Sequence, residues 1–231
     1  MTHIISLGNT CNVRQQINEY HKNTETHFFD WLYTNFTTII KILNEIITPT
    51  NLLDIENFGK LKDIKNIDDA NKECYTIAHK YINLYAAHDI PITIDFNTGL
   101  ISFVEKYKRR LERFKSILLD NNIIDFIHMV DSQHTIPYMP STDDIKTFFL
   151  LIKKINPNKK CNLHILLKPE LKKYNLVATT NYNDIPNIPN IYVYDLLHVN
   201  PKKEPFYMEY HLNWNIVFDN IKKIYIRNLY F

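Results

Sequence analysis

Hydrophobic positions along the chain recur with two periods, and their alternation predicts the elements. Residues 3–7, His-Ile-Ile-Ser-Leu, read as a short buried strand, and the Gly8-Asn9-Thr10 turn leads into a helix beginning near Cys11. That helix carries Val13, Ile17 and Tyr20 at helical spacing. After Phe28-Phe29-Asp30-Trp31-Leu32, apolar Ile39, Ile40, Leu43 and Ile47 predict a second helix over residues 36–47, which Pro49 ends. Residues 51–71 are charged and lack either period, so a variable loop is expected there. From Tyr75 to Tyr85 the spacing is two, which predicts one or two strands closed by His88-Asp89-Ile90-Pro91.

The longest helix is expected over residues 99–120, with Leu100, Phe103, Val104, Tyr107, Leu111, Phe114 and Leu118 on one face. A strand over 123–130 follows, then a helix that starts at Ser141-Thr142-Asp143-Asp144, a capping-box-like sequence, and runs to about Ile155. Strands over 162–167 and 190–196, a shorter one over 176–179 between them, and a last helix over 212–223 complete the pattern. Helix and strand in this order imply crossover connections and parallel pairing. The fold class expected is α/β: one domain over residues 1–231 with a mixed, mostly parallel sheet flanked by helices. No internal repeat or low-complexity linker marks a boundary.

Composition narrows the functional classes. A 45% hydrophobic, 13% aromatic chain of 231 residues can build a sizeable core. A net charge of +2 gives no global field for nucleic acid or an anionic membrane, so a nucleic-acid partner is disfavoured. The longest apolar runs, such as residues 148–152, fall far short of the roughly 20 residues a membrane span needs. The first residues lack the features of a secretory signal, so a cytoplasmic location is expected. Cys11, Cys74 and Cys161 are too widely spaced for a metal site or a disulfide framework and read as thiols.

Among residues able to carry chemistry, Cys11 is the sharpest candidate. Free amides and the dipole at a helix N-terminus stabilise a thiolate, and the same amides, with the Asn9 side chain, suit a developing oxyanion. From pattern alone, a small buried residue packed under the strand is an equal reading. A cysteine nucleophile needs a histidine, and of ten His88 stands out because it ends a strand, with His79 as the local competitor. His128 and His164 lie inside apolar strands, where core histidines with satisfied hydrogen bonds are expected. Asp30, inside an aromatic cluster, needs a partner if buried and can orient the histidine, although spacing alone favours an aspartate that caps the following turn. The basic face of the long helix reads mainly as solvated, with Arg110 and Arg113 placed beside its apolar stripe, where they can turn toward Asp30 or a substrate carboxylate. No metal-ligand motif, phosphate-cradling loop or serine elbow is present, so neither metal nor cofactor is expected.

Ile5-Ser6-Leu7-Gly8-Asn9-Thr10-Cys11, Phe28-Phe29-Asp30-Trp31-Leu32, His88-Asp89 and the basic stretch from Glu105 to Phe114 together resemble the DUF1796 family, described as papain-like cysteine peptidases. The blocks cover roughly residues 4–130 in the family's order. The resemblance implies Cys11 as nucleophile and His88 as general base, with Asp30 chosen to orient His88. Papain-like enzymes usually take the third residue from after the histidine, which makes Asp89, or a later Asn or Asp, a rival. The resemblance also brings in an alternative fold, the papain-like α+β arrangement of a helical half against an antiparallel barrel, which the alternating second half does not match.

The leading expectation is therefore a cysteine-dependent hydrolase, peptidase or acyl transferase acting on a peptide, amide or glycan-type substrate. Two other classes stay open. One is a non-catalytic α/β domain that binds a carbohydrate, protein or nucleic-acid partner through a Tyr- and Lys-rich surface. The other is a glycan-directed transferase using Asp30 and the helix arginines.

Overall fold

The computed structural model describes residues 2–8, 11–22, 25–67, 73–130, 139–167, 190–195 and 213–230. In chain order these form β1 (Thr2–Ser6), α1 (Cys11–His21), β2 (Leu32–Thr34), α2 (Phe36–Ile47), β3 (Phe58–Ile67), β4 (Glu73–His79) and β5 (Leu84–Pro91). Then come α3 (Phe96–Leu119), β6 (Ile123–Val130), α4 (Thr142–Ile155), β7 (Cys161–Leu167), β8 (Ile191–Asp195) and α5 (Asn215–Tyr230).

The strands form two four-stranded sheets. One is parallel, in the order β1-β6-β7-β8; the other is antiparallel, in the order β2-β5-β4-β3. The chain is thus α/β, as its alternation predicts, and the period-two segments form a sheet of their own instead of extending the parallel one. The strand expected over 176–179 lies outside the described residues. No helix among the described residues is long and apolar enough to cross a membrane.

Side-chain chemistry explains where the helices begin. Asn35 accepts the Thr38 amide at 2.9 Å to start α2, Asp95 accepts the Thr98 amide at 2.9 Å to start α3, and Ser141 with Asp144 closes a full capping box on α4. The aspartate cap explains why α3 begins at Phe96, three residues ahead of the expected start.

Two apolar layers hold the sheets and helices together. The larger joins both sheets to α2, α3 and α4 through Phe28, Phe29, Phe36, Phe114, Phe126 and Phe148. The smaller lies on the opposite face of the parallel sheet, where Val13 and Ile17 of α1 meet Trp214, Val217 and Phe218 beside Ile127 and Leu166. Each fully buried side chain of this size contributes about 1.5–3 kcal/mol.

Residues 51–71 differ from the loop expected of them. A 3-10 turn at Ile55–Asn57 feeds β3, which pairs with β4 across a register shift between Lys60 and Lys65. β3 is an edge strand, and lysines with an irregular register are how an exposed sheet edge avoids further pairing. The same features hide its period in the sequence.

The two core histidines differ in their surroundings. His164 bonds Tyr194 Oη at 2.9 Å and Asp125 Oδ1 at 3.0 Å, while buried Asn162 and partly buried Asn220 complete a hydrogen-bonded chain across β6, β7, β8 and α5. His128 lies edge-on to Phe36, its centroid 5.3 Å away, and burial lowers its pKa to about 4.

Candidate active site

Because the strands of the first sheet are parallel, the ends of β1, β6, β7 and β8 share one edge, and Cys11 opens α1 just beyond the end of β1. Open parallel sheets bind ligands at that edge. The turn before Cys11 is held from both sides. Gly8 has φ +79°, its amide bonds Ser6 Oγ at 3.2 Å, and Thr34 Oγ1 donates to the Leu7 carbonyl at 3.1 Å. A Cβ on Gly8 would collide with Thr34 Oγ1 and stand 3.1 Å from the Leu32 carbonyl, so the turn also requires glycine for close approach. Asn9, the expected oxyanion residue, lies outside the described residues.

The three thiols differ in access. Cys11 is half-buried, whereas Cys74 is fully buried and Cys161 nearly so, with burial pushing the Cys161 thiol up to about 12.

Asp30 closes the turn after His27. Its Oδ2 accepts the His27 amide at 2.7 Å and lies 3.2 Å from Arg14 Nε, with neither the Asp30 nor the Arg14 side chain exposed. The capping role anticipated for Asp30 is therefore played toward the preceding residues. Burial outweighs Arg14 and the amide, raising the carboxyl to about 6. Burial, helped by nearby arginines, lowers His27 to about 3 and keeps it neutral. Trp31, next in the chain, has φ +67°, a left-handed conformation that a bulky residue rarely adopts.

His88 lies in a bulge. The β4–β5 register passes from Ile77 opposite Ala86 to Tyr75 opposite Ile90, so four positions along β5 answer two along β4. Bulges of this kind redirect side chains and recur beside active sites. On the other side of β5, β2 pairs Leu32 with Ala86 and Tyr33 with Tyr85, so its ladder ends two residues after the Asp30 turn and two before His88. His88 Nδ1 and Asp30 Oδ1 are buried and have no hydrogen-bond partner among the described residues, so they do not bond each other, and His27 Nδ1 and His128 Nδ1 are in the same state.

Asp89 is engaged differently: Lys106 Nζ pairs with its Oδ1 and Tyr107 Oη donates to its Oδ2 at 3.3 Å. The Tyr107 hydroxyl also lies 3.5 Å from the Asp30 carbonyl, so one phenol links the residue beside His88 to the Asp30 turn. Arg110 turns inward as its position allows, its guanidinium 4.9 Å above the Tyr107 ring and 3.5 Å from the Asp30 carbonyl. Arg113 donates to the Thr26 carbonyl at 2.6 Å and meets Glu25 at 3.4 Å.

His79 is spent on structure. Its ring bonds the Leu52 carbonyl at 2.9 Å and accepts the Tyr81 amide at 3.1 Å. An open groove of about 330 Å³ adjoins it and a second of about 360 Å³ shares Lys41, Tyr81 and Ile82 with the first; neither is lined by Cys11, Asp30, His88, Asp89, Arg110 or Arg113. No group of His, Cys, Asp and Glu able to hold a metal occurs among the described residues. His134, His198 and His211 lie outside the described residues.

The sequence marks neither Arg14 nor His27, and it places Tyr107 only on the apolar face and Lys106 only in the basic stretch of the long helix. Arg14 occupies a position where the helical pattern calls for solvent, and the only signal for its burial is an aspartate with no local cation inside Phe28-Phe29-Asp30-Trp31.

A family model with the description "Putative papain-like cysteine peptidase (DUF1796)" matches residues 2–149. "Uncharacterized protein R408" of Acanthamoeba polyphaga mimivirus is 27% identical over 135 residues, which are 54% of this chain and 60% of that protein. The chain thus spans less than two thirds of that relative's length. No solved structure matches.

Proposed function

The chain belongs to the DUF1796 family, and from that premise we propose that it is a thiol-dependent hydrolase or acyl transferase with Cys11 as nucleophile and His88 as its acid–base partner. The observation that carries this reading is the position of Cys11: it is the most accessible of the three thiols, and it opens the helix that follows β1 at the edge where the parallel strands end, the edge at which open parallel sheets commonly bind ligands. The bulge in β5 supports His88, since it frees that residue from regular pairing with β4.

In the proposed reaction His88 takes the thiol proton and the Cys11 sulfur attacks the carbonyl carbon of a peptide or amide. Amides at the start of α1, with Asn9, hold the oxyanion. His88 returns the proton to the departing amine as the C–N bond breaks, leaving a thioester on Cys11. Water attacks the thioester in hydrolysis; another nucleophile does so in transfer. Asp30 is our choice to orient His88, because its Oδ1 is unspent while both oxygens of Asp89 are occupied by Lys106 and Tyr107. Arg110, at the rim of the cluster, is assigned to a substrate carboxylate, and Arg113 to the wall that holds residues 25 and 26.

The test is labelling by iodoacetamide at near-neutral pH, with the modified site read by mass spectrometry. Cys11 is expected to react first, Cys11→Ala to abolish rapid labelling, Cys74→Ala and Cys161→Ala to retain it, and His88→Ala to slow it. Equal labelling of all three cysteines in the native protein would overturn the assignment.

A further inference from the structure

Arg14 follows Cys11 by three residues on α1, which puts the two Cβ atoms on one face, about 5–6 Å apart. Its side chain is fully buried and reaches the equally buried carboxylate of Asp30. An ion pair in such surroundings is a poor source of stability, because desolvating both charges consumes most of their attraction and apolar residues of similar size pack as well. The neighbouring positions Val13 and Ile17 show that α1 elsewhere buries apolar side chains. A charged pair one helical turn from a half-buried thiol does have an electrostatic consequence: charge outside water acts strongly over short distances.

We propose that the Arg14–Asp30 pair sets the charge felt by the Cys11 sulfur, with Arg14 a positioning residue that both favours the thiolate and anchors the first turn of α1 to the Asp30 turn. The inference rests on Cys11 being the nucleophile. Arg14 supplies the favourable field and Asp30 opposes it, so removing either partner moves thiol ionisation in opposite directions. The other charged groups that act on Arg14 are Arg110 of α3 and Glu25, before the Asp30 turn. They stay in place in each variant described next.

The pH dependence of iodoacetamide alkylation at Cys11 tests this, measured with His88 replaced by Ala so that no effect passes through the imidazole. Arg14→Met is expected to raise the midpoint by about one pH unit, Asp30→Asn to lower it, and Arg14→Lys to stay close to the parent. Loss of packing alone would move the first two variants in the same direction, and that result, or no movement, would overturn the proposal. Where Arg14→Met does not fold, Asp30→Asn decides: a midpoint at or above the parent's overturns it. Slow labelling of Cys11 in the otherwise native protein would instead remove the nucleophile assignment itself.

Discussion

Asp30 holds a carboxylate oxygen 3.2 Å from Arg14 Nε with neither side chain exposed, yet its carboxyl is raised from 3.8 to about 6. Burial therefore dominates over the guanidinium. Between about pH 4 and 6 the folded protein binds more protons at this site than the unfolded chain. Stability from Asp30 is fully present below pH 4 and is lost as pH rises through 6. His27 and His128, lowered to about 3 and about 4, act in the opposite sense: their contribution is present above about 6.5 and is lost as pH falls. Asp30→Asn removes only the falling component. Its unfolding free energy, relative to wild type, should rise by about 2–3 kcal/mol from pH 4 to 7 in urea titrations. A difference independent of pH would exclude the raised carboxyl.

Gly8→Ala places a methyl group against Thr34 Oγ1 at φ +79°. The left-handed conformation alone costs a residue with Cβ about 1–2 kcal/mol, and displacement of Thr34 from the Leu7 carbonyl adds about 1 kcal/mol more. Thermal denaturation should show a clear loss. Because the turn leads directly into Cys11, alkylation of that thiol should slow in the same variant. Unchanged melting would mean that the turn relaxes freely.

Lys159, almost wholly buried, reaches the Ile117 carbonyl at 2.5 Å, the Asp120 carbonyl at 3.0 Å and Asp120 Oδ1 at 2.7 Å, and so closes the C-terminal end of α3. His3 and Asn122 share the same carboxylate, at 2.8 and 3.0 Å. These hydrogen bonds hold the Asp120 carboxyl below its usual 3.8 despite the cost of burial. Stability from Asp120 is thus present above about pH 4 and is lost as pH falls below it. Lys159→Met should destabilise by about 1–3 kcal/mol at pH 7, since it takes the buried donor from the Ile117 carbonyl and the cation from the Asp120 carboxylate, which keeps His3 and Asn122. Circular dichroism melts at pH 7 and pH 3 should show a smaller penalty in acid; an equal penalty at both would assign the loss to packing alone.

The helices were legible because each one's signal is local. α2 spans the residues its apolar spacing predicts, and Ser141 with Asp144 marks the start of α4 in the sequence as in the structure. β3 was not legible, because an edge strand faces solvent and needs no apolar alternation. The partition of strands into two sheets was likewise hidden: Tyr75 to Tyr85 declares a period of two, but which strand pairs with which is set by contacts far apart in sequence. At the candidate site, the sequence marked Cys11, His88 and Asp30 as residue types suited to the chemistry. It did not show that Asp30 faces Arg14, because a polar residue on a helix reads the same whether water or a carboxylate solvates it.

By itself, then, the sequence determined the α/β alternation, the cap of α4 and the glycine turn ahead of Cys11, all consequences of backbone preference and short-range hydrogen bonding. Only the tertiary structure decided that Cys74 and Cys161 are sealed while Cys11 is partly open, that His88 sits in a bulge, and that Arg14 is buried against Asp30. Each of these depends on which distant surfaces exclude water, and no local pattern carries that information.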